Sequence, residues 1–384
     1  MFYKNKEIQV ASPYFSSKDQ QWIKNQISNV LKKKLSTGPY CEDFEKKFSK
    51  FVGTKYAVFL NSCTSALEIA TNYLGLKKTD EVIVPVQTFI ATATAVTTQN
   101  GKIVFAEINP STFCLDLKEI KKRTTKKTKA IMLVHFAGYM ARDIIKIQKF
   151  CKKNKIFIIE DCSHSFGTSY KKKKAGNIGD IGCFSFFSTK TLTTGEGGML
   201  TTSNKNIYEH ALALRNRGQV TNSPIEIFDK PWRNCRATEF SAVLGLSQLS
   251  NIKKINKHRE IITNFYDKEI KKNNKDIYTL DKDKNINYSI WKHITIIKNS
   301  SISRLELYKI LKKKYKININ WAYNPLLHLQ PFYKKAFKSK IGDFPVTEDI
   351  SNRHFHLPLH LGISKKKANY IIKSLFKAIK TLKE

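Results

Sequence analysis

The sequence predicts an α/β fold built on a largely parallel sheet. Short β-rich runs alternate with helical patterns along the first half of the chain. Several runs are continuously apolar, as expected of strands covered on both faces. Glycine-rich and acidic segments follow the ends of these runs, where an open parallel sheet presents its ligand crevice.

The expected strands are YAVFL (56–60), EVIVPV (81–86), KIVFAEI (102–108), AIMLVHF (130–136), IFIIED (156–161), CFSFF (183–187) and GMLTT (198–202). TSALEIATNYL reads as a helix after the first, and DIIKIQKFCKKN as a helix before the fifth. Residues 219–234, QVTNSPIEIFDKPWRN, combine prolines with polar residues and predict a long loop. An amphipathic helix is expected from about Ala237 to Lys272, with Leu244, Leu249, Ile252 and Ile255 on one side. IWKHITII (290–297) and KINI (316–319) predict strands of a smaller domain. Ser364 is the expected N-cap of a terminal helix.

A chain of 384 residues holds two domains with sizeable cores. No apolar run reaches the length of a membrane span. The stretch MFYKNKEIQVASPYF lacks the apolar core and cleavage site of a secretory leader, so the cytoplasm is the expected compartment. Seven scattered cysteines without a C-x-x-C pair fit reduced, buried thiols better than a disulfide framework or a zinc site. The net charge is +37, but the lysines are spread along the whole chain. Nucleic-acid binding requires basic residues gathered on one face with interleaved aromatics, which this spread disfavours. A positive field still draws in an anionic substrate.

Three segments carry candidate chemistry. IFIIEDCSHSFG ends a strand on Glu160 and Asp161, which either face a ligand or cap a turn. NSCTSALEIA places Asn61, Ser62, Thr64 and Ser65 at a strand-to-helix turn. That turn is either a phosphate cradle or an ordinary N-cap. GDIGCFSFFSTKTLTTGEGGMLTT (179–202) contains a single lysine, Lys190, in an otherwise lysine-rich chain. Gly195, Gly197 and Gly198 follow it and permit close backbone approach. A desolvated lysine becomes an amine nucleophile. Lysine, carboxylate and phosphate anchor together suit pyridoxal phosphate, and Phe89 in VPVQTFIATA offers a flat surface for its ring. A rival zinc site at His354, His356 and His360 lacks a nearby Asp, Glu or Cys to complete it, so no metal is expected.

With these motifs in order, the chain resembles the DegT/StrS-type sugar aminotransferases. The resemblance runs from LSTGPYCEDFEKKFSKF through EVIVPVQTFIATATAV, IIEDCSHSFGTSY and FSTKTLTTGEGG to LRNRG, NCRATEFSAVLGLSQL and FHLPLHLGIS. It implies the aspartate-aminotransferase fold (fold type I). A large pyridoxal-phosphate-binding domain over 1–245 would have a mixed, mostly parallel sheet. A smaller α+β domain would cover 246–384, with the N-terminal helix packing on it. Lys190 would form the internal aldimine and Asp161 would pair with the pyridine nitrogen. His164 would lie near the phenolic oxygen, and Phe89 would cover the ring. Thr64, Ser65 and Ser185 would hold the phosphate. Asn234 would reach the phosphate of a partner subunit, which implies a homodimer with shared sites. Gly38 and His328 match stretches that approach the sugar nucleotide. Cys63, where glycine is common, and Cys235, where an aromatic is usual, depart from the pattern.

The implied activity is ping-pong transamination from glutamate or glutamine to a nucleotide-linked 3- or 4-keto-6-deoxy sugar. Lys190 argues against the dehydratase branch, which has histidine there. The alternatives are a cofactor-binding regulator without catalysis, and a nucleic-acid-binding protein.

Overall fold

The computed structural model describes residues 7–220 and 223–384. Residues 1–6, at the start of the segment read for a leader, and Thr221 and Asn222, within the expected loop, lie outside the described residues. All seven apolar runs are strands: β1 (Tyr56–Leu60), β2 (Glu81–Pro85), β3 (Lys102–Ala106), β4 (Thr128–Val134), β5 (Phe157–Asp161), β6 (Ile181–Ser185) and β7 (Gly198–Thr202). They form one sheet in the order β1-β7-β6-β5-β4-β2-β3. β7 runs antiparallel to both of its neighbours, and the remaining pairs are parallel. The sheet is therefore mixed and mostly parallel.

Both faces of the sheet are covered, which accounts for the unbroken apolar runs. On one face Phe59, Phe184 and Phe186 meet Phe44 and Phe48 of the helix Pro39–Val52, in edge and tilted ring contacts. On the other, Val58, Val82 and Val84 pack with Leu67 of the helix Cys63–Tyr73 and Ala93 of the helix Ile90–Thr97. Helix Cys63–Tyr73 starts directly after β1, so its N-terminus lies at the sheet's ligand-binding edge.

A second, antiparallel sheet comprises Ile277–Thr279, His293–Ile297 and His354–Leu357, with the middle strand between the other two. The terminal helix Lys365–Thr381 is capped as expected, the Ser364 hydroxyl accepting from the Lys367 N–H.

Three expectations need correction. The long helix is two helices, Glu239–Ser250 and Ile252–Asn273, separated at Asn251 (φ −96°, ψ 0°). The Asn251 amide donates to the Ser247 carbonyl and to Asp19, competing with helix continuation. KINI is not a strand. Lys316 adopts a left-handed conformation at the end of helix Arg304–Tyr315, and Ile317 makes only an isolated bridge to Ile8. In IWKHITII the strand begins only at His293, because the Trp291 and Lys292 N–H groups both donate to the Ala137 carbonyl. That diversion draws Trp291 out of the small sheet.

Helix Ser17–Val30 packs Ile23 and Val30 on Val243 of helix Glu239–Ser250. The extended residues before it, Ile8 and Val10, bond to the 316–318 segment and to Leu359.

One buried carboxylate ties the N-terminal elements to the later helices. Glu239, 1% exposed, accepts N–H bonds from Gly38, Tyr40 and Cys41 at the start of helix Pro39–Val52. These are orphan donors that the helix itself cannot satisfy. Glu239→Ala should therefore destabilise the protein by roughly 2–3 kcal/mol, read as a lowered urea midpoint. An unchanged midpoint would show that solvent replaces the carboxylate without loss.

Candidate active site

β5 ends in two carboxylates that point to opposite sides, as alternate residues of a strand must. Glu160 turns inward. Its Oε2 lies 2.8 Å from His135 Nε2, and its Oε1 accepts from the N–H groups of Ile178 (2.8 Å) and Gly179 (2.7 Å). It holds the turn that leads into β6. Asp161 instead borders a cavity of about 420 Å³. Its Oδ2 accepts from the Thr92 hydroxyl (2.7 Å) and its Oδ1 from the Ser163 N–H (3.1 Å), so its orientation is fixed from two sides.

Lys190 enters the same cavity. Its amine lies 4.1 Å from the centre of the Trp291 ring. Burial lowers it from the ordinary lysine value to about 8, against the opposing pull of Asp161. A large fraction of the amine is therefore neutral near pH 8, a condition for nucleophilic attack on a carbonyl.

Ser62, Cys63 and Thr64 line the cavity at the first turn of helix Cys63–Tyr73. Ser62 caps the helix by accepting from the Ser65 N–H. The earlier N–H groups of such a turn have no acceptor within the helix and favour an anion. Gly198 makes this approach possible: a Cβ there would lie 2.2 Å from the Ser62 carbonyl carbon. Burial raises the Cys63 thiol, keeping it protonated beside Asp161. Ser185 lines the cavity from β6, and Phe89, half exposed, lines it from the cap of helix Ile90–Thr97.

His164 is buried and stacks on Trp291, with ring centres 4.0 Å apart. Its Nδ1 accepts from the Ala137 N–H (3.2 Å), leaving Nε2 to donate to the Tyr323 hydroxyl (3.1 Å). Burial, with Lys190 and Lys292 nearby, holds this imidazole neutral.

The other expected residues sit elsewhere. The Ser65 hydroxyl donates to Asn61 Oδ1 (2.7 Å) and does not line the cavity. Asn234 is exposed, its Oδ1 accepting from the Arg236 N–H. Gly38 faces Glu239. His328 is not a cavity residue of this chain: it is fully buried, with Nε2 on Glu348 (3.1 Å) and its ring against Phe344. Both ring nitrogens of His354 lie at backbone carbonyls, and His356 Nδ1 lies at Asn320. Among the described residues, the side chains within common metal-ligating reach are His135, Glu160 and Cys162, with Glu160 already engaged as above.

The DegT/DnrJ/EryC1/StrS aminotransferase family model matches residues 17–376. The chain belongs to this family. It is 31% identical over 375 residues to GDP-perosamine synthase of Escherichia coli O157:H7, covering 96% of this chain and 98% of that protein. It is 29% identical over 369 residues to the UDP-4-amino-4,6-dideoxy-N-acetyl-beta-L-altrosamine transaminase of Campylobacter jejuni 81-176, covering 93% and 95%. Spr1654 of Streptococcus pneumoniae, solved in a PLP-form, superposes with a TM-score of 0.88 at 27% identity, covering 98% and 99%.

The DegT/DnrJ/EryC1/StrS fold is thus the fold type I architecture, and the cofactor is pyridoxal phosphate. The cavity fits that cofactor. It brings together a desolvated amine, a fixed carboxylate and an open helix start, against aromatic rings. Trp291, Tyr323 and Thr92 complete the wall, and sequence reasoning missed all three. Thr92 follows Phe89 by one helical turn, a spacing that places it on the same side. Trp291 and Tyr323 lie far along the chain without a local motif.

Because Asp161 opposes the effect of burial on Lys190, Asp161→Asn should lower the Lys190 amine further in the cofactor-free protein. The pH dependence of Lys190 modification by an amine-specific reagent would read this. The midpoint should lie near 8 in the wild type and lower in the variant. A wild-type midpoint above 10 would contradict the burial of this amine.

Proposed function

We propose that this family member transfers an amino group from glutamate to a nucleotide-linked keto-sugar, in two successive half-reactions. The observation that carries the reading is the Lys190 amine, lowered to about 8, sharing one cavity with Asp161 and the start of helix Cys63–Tyr73. The GDP- and UDP-sugar names of the relatives support the substrate class.

Pyridoxal phosphate, when bound, supplies an electron sink for the pair left by a departing α-proton. The residues of this chain do the rest. Lys190 would hold the cofactor through its Nζ, and the same amine would take and return the α-proton. Asp161, oriented by Thr92 and Ser163, would pair with the pyridine nitrogen. Phe89 would cover the ring, and neutral His164 would lie near the phenolic oxygen. Thr64, Ser185 and the first-turn N–H groups hold the phosphate, with Ser65 supporting that turn through Asn61.

The same reading divides the chain near residue 245. Its support is that the seven-stranded sheet is complete by Thr202, whereas the small sheet begins at Ile277. Exposed Asn234 then serves a partner subunit's site in a homodimer, and Gly38 lies on the path to the sugar nucleotide. Seven unpaired, buried cysteines support a reducing, cytoplasmic setting. Among the described residues, no helix is long and apolar enough to cross a membrane.

Lys190→Ala should reduce turnover by more than about 10³-fold, and Asp161→Asn by roughly 10²-fold. The assay follows 2-oxoglutarate released from glutamate in the presence of GDP- or UDP-linked 4-keto-6-deoxy sugars. Amination of simple keto acids with no keto-sugar nucleotide accepted would contradict the proposed substrate.

A further inference from the structure

Lys292 is the second buried amine of the region, and nothing in the site described above uses it. It is 8% exposed and lines a cavity of about 320 Å³ together with Gln9, Thr189, Asn318 and Asn320. Thr189 also lines the main cavity, so the two share a wall. Lys292 and Lys190 flank the same indole, with their amines 4.4 and 4.1 Å from the Trp291 ring centre. Among the described residues, the Lys292 amine has no ion pair and no hydrogen-bond acceptor. The nearby histidines do not compensate it. His164 and His356 are both buried and held neutral, with Lys292 itself among the causes. Among the described residues, no acidic side chain lines this cavity, and Glu7 accepts from its lining residue Asn318.

A buried ammonium without a counter-charge is costly unless a ligand supplies the anion. Burial and the neighbouring Lys190 together lower Lys292 to about 8, which records that missing partner. The wall offers further donors for an anion. Asn320 directs its Oδ1 to His356 Nδ1, which leaves its amide N–H groups available.

We propose that Lys292 binds a carboxylate of the amino donor, holding the amino acid across Trp291 so that its amine faces the Lys190 cavity. This rests on the aminotransferase reading above and names the donor-recognition residue of the same site. Both amines lie within 4.4 Å of one ring centre, so a dicarboxylic amino acid can turn its amine to Lys190 and a carboxylate to Lys292. A nucleoside diphosphate would have to fit its phosphates into the smaller of the two cavities.

The test uses pyridoxal-loaded enzyme titrated with glutamate, following loss of the visible band of the lysine-bound cofactor. Lys292→Met should raise the half-conversion concentration roughly tenfold or more, and Lys292→Arg should restore most of it. The resting spectrum should be unchanged in both, which verifies folding and cofactor binding. Maleate, a dicarboxylate that cannot donate an amine, should compete with glutamate in the wild type and not in Lys292→Met. GDP and UDP binding, measured by calorimetry, should be the same in wild type and variant. Equal glutamate titrations in wild type and Lys292→Met would overturn the inference while leaving the aminotransferase reading intact. So would a loss confined to GDP or UDP binding, which would make Lys292 a phosphate residue. A wild-type enzyme unresponsive to every amino acid would overturn both.

Discussion

One carboxylate and one amine share a cavity at the end of the central strand β5, and much of the architecture exists to keep both of them there. Asp161 is 3% exposed, an environment that penalises its charge unless it is bonded. Thr92 and the Ser163 N–H supply those bonds, which ties helix Ile90–Thr97 and the β5 exit loop to its position. Lys190 stands on the turn after β6, the strand beside β5. The parallel register of β5 and β6 therefore sets the distance between amine and carboxylate.

Side chains from far along the chain close this cavity. Trp291 leaves its strand because the Ala137 carbonyl takes two N–H groups from the Trp291–Lys292 step. The indole N–H then donates to the Thr189 carbonyl (2.6 Å), one residue before Lys190. Tyr323 completes the wall through its bond to His164. The aromatic stack of His164 on Trp291 both desolvates Lys190 and keeps the imidazole neutral. The low basicity of the amine thus depends on side chains far apart in the sequence.

The sheet was legible because its strands are short apolar runs whose two-sided burial leaves little ambiguity of type. All seven runs became strands, and the Ser364 cap behaved as its hydroxyl demands. The helix break at Asn251 was hidden because Leu244 to Ile255 keep an apolar period across it, while a side chain bonding to Asp19 decides the outcome. KINI failed as a strand because the left-handed Lys316 redirects the chain. In the site, Lys190, Asp161 and the 62–64 turn were legible because each belongs to a local motif next to a strand. Trp291 and Tyr323 were not, since only tertiary structure brings them there. His328 lies in a motif-like stretch, and its imidazole is bonded to Glu348.

The central claim is that Lys190 is the residue that holds pyridoxal phosphate. Borohydride reduction of the loaded enzyme, followed by proteolysis and mass mapping of the pyridoxyl label, tests it most directly. The account predicts label on the peptide containing Lys190 alone. Label on Lys292, the other amine lowered to about 8 beside Trp291, or on no lysine at all, would contradict it.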